Sequence, residues 1–393
     1  IIKLSEGLLV GAVVICGQYN GIQDYKKVGK ALSNVFWLTV IFGLCVSSFL
    51  YFCAYYIYYF YGVTPKMISL GMPLLKLRAV SVFLMCVYFG FVGFLRGIKN
   101  THVPMVVSIL GGIFFVFIDY VLIFGCYGMP ECGIMGSAIA SIIQYLVMLI
   151  AVFLYIVFDK ENRKFGIEFF SRPSLSMMKS LLLVSWPVMI DKVTLSLAHV
   201  WLGYRLAPMG KYALASFSAI KDIERIAILP ALACAQVITF LVSNDYKVQN
   251  WEGIKVNIKK VTFIASILVC AILMTVVYNP HYFVRFFDHK GSFTDLSAKV
   301  LPIISVLVFF DLLQLILSGA LRGAADVKVV MTVRLMVCIL FFMPVSYVLS
   351  SFNWSSPLTN FVAVYGTLYM ANAIMSVFYI QRFRGGGWKK QTV

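Results

Sequence analysis

Residues 79–97 read AVSVFLMCVYFGFVGFLRG, and residues 305–323 read SVLVFFDLLQLILSGALRG. Both segments are almost wholly apolar, both end in Leu-Arg-Gly, and the two endings lie 226 residues apart. A helix needs about 20 apolar residues to cross the hydrocarbon core of a bilayer, which is close to the length of each segment. The pair therefore predicts a helical membrane protein that contains an internal repeat.

The same offset relates further positions near the starts of two other apolar segments. The pairs are Tyr25 with Trp251, Val28 with Ile254, and Val35 with Val261. We therefore expect an all-α protein of two six-helix bundles, related by a pseudo-twofold axis along the membrane normal. Transporters of this plan bind their substrate near the membrane midplane, between the halves, and expose it to each side in turn.

The composition supports a membrane protein. Of 393 residues, 61% are hydrophobic and only 12% are charged, with a formal net charge of +17. A soluble domain would be about 25% charged. The positive charge is divided among the connections between apolar segments and is not concentrated in one tract, so we expect no nucleic-acid partner.

Eleven spans are predicted, with 20 Lys and Arg in the connections on one side and 6 on the other. By the positive-inside rule the richer side, including the C-terminus, is cytoplasmic, which predicts a multi-pass protein of the cell membrane. Residue 1 then lies outside, and the repeat partner of span 179–204 falls before it, so we expect the first helix to be missing. The predicted spans are 2–17, 33–60, 72–95, 103–125, 134–158, 179–204, 213–242, 257–286, 300–321, 329–350 and 361–381.

The expected organisation is an N-terminal lobe (1–158, helices 2–6 of twelve), a polar cytoplasmic loop (159–178) and a C-terminal lobe (179–393, helices 7–12) that ends in a short basic tail. The loop is the longest polar connection between apolar segments. It is therefore the natural tether between the two bundles.

Several strings resemble the MATE (multidrug and toxic compound extrusion) family of the MOP flippase superfamily. They are GFLRGIKNTHVPM at 93–105, DYVLIFG at 119–125, GMPECGIMGSA at 128–138, GQYNG at 17–21, and DLLQ at 311–314 running into SGALRG at 318–323. The resemblance covers the whole chain. It implies twelve helices in two bundles, and export of organic cations, drugs or other amphipathic metabolites in exchange for H⁺ or Na⁺. We expect a monomer with no cofactor, in contact with a small-molecule substrate and membrane lipid.

The resemblance also directs attention to the seventh family helix, where one branch carries an acidic residue two turns after a proline. Counting from Pro187 places Leu195 at that position. Asp191 and His199 lie one turn to either side and share its face. Either the acidic function has moved by one turn, which makes Asp191 and His199 candidates for cation coupling, or it is lost.

Asp311 is the strongest candidate for coupling, as an H⁺ acceptor or a Na⁺ ligand. It lies among Phe309, Phe310 and Leu312, and an ionised carboxylate there costs about 3 kcal/mol or more unless it faces a cavity, a cation or a proton. The alternative is a protonated Asp311 that is hydrogen-bonded to Gln314 or to another helix. The family motif at this residue favours the functional role.

Lys221, Asp222, Glu224 and Arg225 form the densest group of charges within a predicted span. Their spacing predicts internal ion pairs of Lys221 with Glu224 and of Asp222 with Arg225. The group then either fixes the structure or lines the substrate cavity together with Gln314. Both interpretations stay open.

Other function classes receive little support. The nine cysteines and four histidines are scattered, without a metal-binding motif, and there is no P-loop and no GxSxG. An intramembrane enzyme is the remote alternative, with Asp191 and His199 as the only fragment of a catalytic set. A lipid-linked oligosaccharide flippase of the same superfamily is the nearer rival, because cationic residues such as Lys221 and Arg225 would suit its substrate.

Overall fold

The computed structural model describes residues 2–60, 62, 64–169, 171–288, 291–352, 354 and 356–390. The described chain is helical and contains no strand. Its helices are α1 (Ile2–Gly21), α2 (Tyr25–Phe60), α3 (Pro65–Gly97), α4 (His102–Phe124), α5 (Ile134–Phe158), α6 (Leu175–Leu206), α7 (Lys211–Lys247), α8 (Trp251–Tyr278), α9 (Pro280–Arg285), α10 (Thr294–Gly323), α11 (Val327–Val337), α12 (Met343–Ser351) and α13 (Pro357–Arg384). The predicted all-α membrane fold is confirmed.

Ten stretches within these ranges are long and apolar enough to cross a membrane, and α1 is not among them. One of the ten is composite, since α11 continues through a π-helical turn, Cys338–Phe342, into α12. The count of eleven spans and the missing first helix stay predictions. Several helices are longer than the apolar segments that predicted them; α2, for instance, begins at Tyr25 because its polar first turns are helical too.

The chain divides into two compact units, Ile1–Met189 and Ile190–Val393, with the division inside α6. In the first unit α3 is the central helix, packed on α1, α2 and α5. In the second unit α10 has the same role, packed on α7, α8 and α13. The segments that predicted the repeat, 79–97 and 305–323, are the C-terminal parts of these two central helices. The predicted lobe boundaries and inter-lobe loop stay predictions.

Close glycine contacts confirm the repeat at the level of atoms. A Cβ added at Gly93 on α3 would lie 2.8 Å from the Leu9 carbonyl oxygen of α1. A Cβ added at Gly319 on α10 would lie 2.5 Å from the Ala235 carbonyl oxygen of α7. Both members of the second pair lie 226 residues after those of the first. The backbones of the paired helices therefore approach equally closely at equivalent positions, which only glycine permits.

The turns repeat as well. Gln23 and Gln249, 226 residues apart, both adopt left-handed backbone conformations, with φ of 60° and 58°. Lys99 and Ala325, at the same offset, have φ of 67° and 61°. Non-glycine residues rarely adopt this conformation. Two such coincidences at one offset show that the connections α1–α2 and α7–α8 share a conformation, as do α3–α4 and α10–α11.

Each unit contains a short 3₁₀ segment, Lys160–Phe165 after α5 and Gly387–Lys390 after α13, that packs against its own bundle. In the first unit, Phe165 packs edge-on against Tyr25 at 5.6 Å between ring centroids. In the second unit, Trp388 packs edge-on against Trp251 at 5.2 Å and is fully buried. Because Tyr25 and Trp251 are the first residues of α2 and α8, the two segments close equivalent ends of the two bundles.

Candidate functional site

The most unusual buried acid of the second unit is Glu224, on α7. Its Oε2 accepts hydrogen bonds from the hydroxyls of Tyr365, at 2.5 Å, and Tyr369, at 2.6 Å. These tyrosines are four residues apart on α13 and therefore share one face of that helix. The other carboxylate oxygen of Glu224, Oε1, is buried without a hydrogen-bond partner. Half of the carboxylate is thus held firmly while the other half can accept a proton or coordinate a cation.

Asp311, on α10, is the second acid of this region. Its Oδ1 accepts a hydrogen bond of 3.2 Å from the Nδ2 of Asn372, which follows Tyr369 by three residues on α13. The carbonyl oxygen of that amide, Oδ1 of Asn372, is buried without a partner. Asp311 also lies within electrostatic range of Glu224. We define Glu224, Asp311, Tyr365, Tyr369 and Asn372 as the acidic site.

The acidic site is suited to a proton or a small hard cation. The oxygens of the site that have no hydrogen-bond partner, or only one, belong to carboxylate and amide groups, which are the ligands that hard cations prefer. Two interacting carboxylates in a low-dielectric interior disfavour a second negative charge, which makes the acidic site a candidate for binding one proton or one monovalent cation. Among the described residues, no group of three or more His, Cys, Asp or Glu side chains is arranged so that it could hold a metal ion.

Asp191, predicted as a coupling residue, is instead enclosed by arginines. Its Oδ2 accepts a hydrogen bond of 2.6 Å from Arg322 on α10, and its Oδ1 accepts one from Nε of Arg334 on α11. All three side chains are buried. Both carboxylate oxygens are therefore engaged, and a cation would have to displace a guanidinium to reach them. We call these three residues the arginine cluster.

His199, the other candidate on α6, is half-buried. Its Nδ1 donates a hydrogen bond of 2.8 Å to the carbonyl oxygen of Leu195, one turn earlier on the same helix. This contact is local and does not connect the imidazole to the acidic site. A coupling role for His199 stays a prediction.

The group at 221–225 does not form the internal ion pairs that its spacing predicted. No salt bridge joins its members within the described chain; Glu224 turns towards the tyrosines of α13 instead. The Nζ of Lys221 lies 5.4 Å above the ring of Phe217 on its own helix. Asp222 is half-buried and Arg225 is exposed, so only Glu224 points into the bundle. The error arose because helical spacing shows which side chains are neighbours, whereas packing against α13 decides which way each one points.

Gln314 lies one turn after Asp311 and is almost fully buried. Its side-chain Nε2 is buried without a hydrogen-bond partner. The sequence singled out Asp311 for cation coupling, and Glu224 and Gln314 for the substrate cavity, which stay predictions; it missed Tyr365, Tyr369 and Asn372, and Gln314 lies outside the acidic site as defined. A signal for these was available: they lie at i, i+4 and i+7 along α13, so their polar groups share one face of that helix.

Comparison with known proteins identifies relatives over nearly the whole chain. The MatE family model matches residues 1–121 and 187–348. The probable multidrug resistance protein NorM of Thermotoga maritima is 23% identical over 384 residues, which cover 98% of this chain and 82% of that protein. The multidrug resistance protein NorM of Photobacterium profundum is 21% identical over 357 residues, covering 90% and 77%.

Solved structures share the fold. A crystal structure of MATE in the bent conformation superposes with a TM-score of 0.89 at 17% identity, covering 99% of this chain and 85% of that one. An outward-facing multidrug resistance MATE family transporter of the MOP superfamily gives a TM-score of 0.88 at 17% identity, covering 100% and 86%. At this identity the likeness concerns the fold alone.

Proposed function

The chain belongs to the MATE family of membrane transporters, and from that premise we propose that it exports drug-like organic cations in exchange for H⁺ or Na⁺, with the acidic site as its coupling site. Membership makes the protein a transporter and not an enzyme. The names of the NorM relatives support multidrug substrates, and the ten apolar spans agree with a multi-pass membrane protein. We place it in the cell membrane as a monomer with its C-terminus in the cytoplasm.

The observation that carries the proposal is the set of unsatisfied oxygens in the acidic site. Glu224 Oε1 and Asn372 Oδ1 are buried without partners, and they lie on the two helices that flank Asp311. Leaving such atoms unpaired costs about 1–3 kcal/mol each, which a bound proton or cation recovers. A coupling site must be more stable with its proton or cation bound than without it.

The cycle follows from this preference. Loading of the acidic site stabilises one conformation of the second unit and unloading stabilises the other, because a ligand shifts an equilibrium by its difference in affinity for the two states. A cationic substrate suits the same electrostatics. The arginine cluster satisfies the charge of Asp191, whereas no Lys or Arg forms a salt bridge with Glu224 or Asp311 in the described chain.

The deciding experiment uses purified protein in liposomes that contain a fluorescent organic cation, with an imposed pH gradient or an imposed Na⁺ gradient. Asp311→Asn and Glu224→Gln should each reduce gradient-driven transport at least tenfold while the protein remains folded. Asp222→Asn is the matched control, since it removes a carboxylate two residues from Glu224 that lies outside the acidic site. Full coupling in both site variants would remove the acidic site from the mechanism.

The same liposomes separate the rival functions. Scrambling of a labelled lipid-linked oligosaccharide that needs neither gradient would identify a flippase. The choice between H⁺ and Na⁺ follows from which gradient drives transport. The acidic residues of the site favour the export of cations, because a lipid-linked phosphate would meet two carboxylates there.

A further inference from the structure

Arg205, in the last turn of α6, is held against α12 by neutral partners. Its Nε and Nη2 donate hydrogen bonds of 2.9 Å and 2.5 Å to the Ser350 hydroxyl, and Nη2 donates a longer one of 3.5 Å to the Ser351 hydroxyl. Both hydroxyls donate their own protons to the carbonyl oxygen of Tyr347, so they serve Arg205 only as acceptors. Within the described chain, no acidic side chain forms a salt bridge with Arg205. Its positive charge is therefore not balanced by these contacts.

The same contacts determine which part of the guanidinium remains open. Arginine can bind a phosphate through two parallel N–H groups, either Nε with Nη2 or Nη1 with Nη2. Ser350 occupies the first pair, whereas the second is engaged only by the long bond from Nη2 to Ser351. The guanidinium carbon lies 4.6 Å from the ring centroid of Tyr347 and 5.9 Å from that of Tyr204. The group is thus oriented in advance, with its second pair of donors available.

The surroundings of Arg205 are typical of the level of lipid headgroups. Tyr204 and Tyr347 are 65% and 54% exposed, and Phe352 and Trp354 form a ring contact at 5.8 Å just beyond the end of α12. Tyrosine and tryptophan are enriched where a membrane protein crosses from hydrocarbon to water. We define the interfacial site as Tyr204, Arg205, Tyr347, Ser350 and Ser351.

Exposed apolar side chains continue from the interfacial site along the composite span of α11 and α12. Met336, Leu340 and Tyr347 are 55%, 71% and 54% exposed. At the rise of a helix, the eleven residues from Met336 to Tyr347 extend about 16 Å, which is close to half of the hydrocarbon core of about 30 Å. One acyl chain of a phospholipid covers that depth in one leaflet. The unbalanced charge and the apolar surface are therefore arranged as the two parts of a lipid are.

We propose that the interfacial site binds the phosphate of an anionic phospholipid, whose acyl chain lies along the exposed side chains of α11 and α12. The phosphate oxygens accept hydrogen bonds from Nη1 and Nη2 of Arg205 and balance its charge. An anionic headgroup is preferred to a zwitterionic one, because the cation of the latter is repelled by the guanidinium. The proposal is independent of the transported substrate and of the coupling ion.

The first test measures lipid binding by native mass spectrometry on the whole protein, purified in a nonionic detergent. Phosphatidylglycerol should bind about tenfold more tightly than phosphatidylcholine with the same acyl chains. Arg205→Gln should weaken phosphatidylglycerol binding by about tenfold and remove this preference, because the charge-assisted hydrogen bonds are lost. Arg205→Lys keeps the charge without the paired donors, so its affinity should lie between those of the original protein and Arg205→Gln.

The matched control is Lys299→Gln, which removes an exposed positive charge from α10 in the same unit. That variant should change the affinity for phosphatidylglycerol by less than about twofold. If Arg205 only joins α6 to α12, Arg205→Gln will lower the thermal midpoint while the preference for phosphatidylglycerol persists, and the proposal is then wrong. Displacement of the lipid by millimolar inorganic phosphate would also overturn it, since the ligand would then be a soluble phosphate.

The second test uses the unaltered protein, so it does not depend on a variant that folds. Phosphatidylglycerol with a photoactivatable diazirine in one acyl chain is incorporated into liposomes with the protein, and the labelled peptides are identified. Labelling should concentrate in residues 336–351. A tenfold excess of unlabelled phosphatidylglycerol should reduce it about tenfold by mass action, whereas the same excess of phosphatidylcholine should reduce it less than about twofold. Equal labelling of all exposed spans, or equal competition by the two lipids, would show only unspecific lipid contact and refute the site.

Discussion

Replacing Gly319 with alanine should force α7 and α10 apart. The new Cβ would lie 2.5 Å from the Ala235 carbonyl oxygen, whereas ordinary contacts begin at 3.4 Å. The helices would have to separate by nearly 1 Å, or the backbone would have to bend by as much. A gap of 0.5–1 Å forfeits about a quarter to a half of the dispersion energy of each contact along it.

The cost follows from known overpacked cores. Inserting a methyl group into a close-packed contact typically costs about 1–3 kcal/mol, and we expect about 2 kcal/mol here, since both neighbours are helix backbone. For a unit of this size, that loss lowers the thermal midpoint by about 4–8 °C. The suitable assay is the temperature at which detergent-solubilised protein loses its monodisperse elution peak.

The repeat supplies a second variant and the sequence supplies a control. Gly93→Ala, its equivalent in the first unit, should destabilise to a similar extent, because its Cβ would lie 2.7 Å from the Cβ of Ala12. Gly112→Ala on α4 should leave the midpoint unchanged or raise it slightly, since nothing lies within 4 Å of its added Cβ and alanine favours the helix over glycine. Equal midpoints for Gly319→Ala and Gly112→Ala would refute the close approach of α7 and α10.

Three further outcomes are expected. Trp388→Ala removes a buried indole ring from a residue whose backbone carbonyl accepts a hydrogen bond from the Tyr246 hydroxyl. The free energy of unfolding should fall by about 3–5 kcal/mol, which would lower the thermal midpoint. An unchanged midpoint would show that the C-terminal segment is not docked. Tyr369→Phe removes one of two donors to Glu224, so the carboxylate should bind the driving ion more tightly and its KM should fall by up to about tenfold; a rise in KM would contradict this. Burial raises the pKa of Asp288, but hydrogen bonds from the backbone of Phe293 and the hydroxyl of Thr294 outweigh it and hold the pKa below the ordinary 3.8. This stabilisation is complete above the ordinary pKa and is lost as the pH falls through the lowered value. Asp288→Asn should therefore make the thermal midpoint less dependent on pH below about pH 4. An unchanged pH dependence in that range would argue against this role.

Much of the fold could be predicted because its determinants are local. Hydropathy predicts the spans, and the offset between Gly97 and Gly323 predicts the repeat from sequence alone. Two helices approach closely only where one of them carries a small residue. The packing of α3 on α1 and of α10 on α7 can therefore be recognised from glycines in the sequence. Turn conformations are harder to predict from sequence. Gln23 and Gln249 match in residue type and in φ, yet glutamine does not by itself predict a left-handed turn.

The acidic site and the arginine cluster were only half predictable because the partners of their acids are distant in sequence. Tyr369 meets Glu224 across 145 residues, and Arg334 meets Asp191 across 143. A buried charge predicts that some partner exists, but several helices could supply one. Asp191 illustrates the limit: its place beside Leu195 made it a candidate for coupling, and only the packing of α6 against α10 and α11 revealed the two arginines.

The repeat separates the scaffold of this protein from its chemistry. At the offset that relates the glycines and turns, Asp311 corresponds to Met85 and Arg334 to Ser108 in the first unit. There, Ser108 shares a neutral hydrogen bond of 3.0 Å with the Tyr88 hydroxyl, and Met85 is an apolar side chain that is buried. The same backbone therefore packs well without ions. Because a neutral pair and an apolar side chain are cheaper to bury than ions, stability alone does not account for Asp311 and Arg334 in the second unit. In the proposed function the charge of Asp311 changes when the coupling ion binds, a role that the neutral side chain of Met85 could not have.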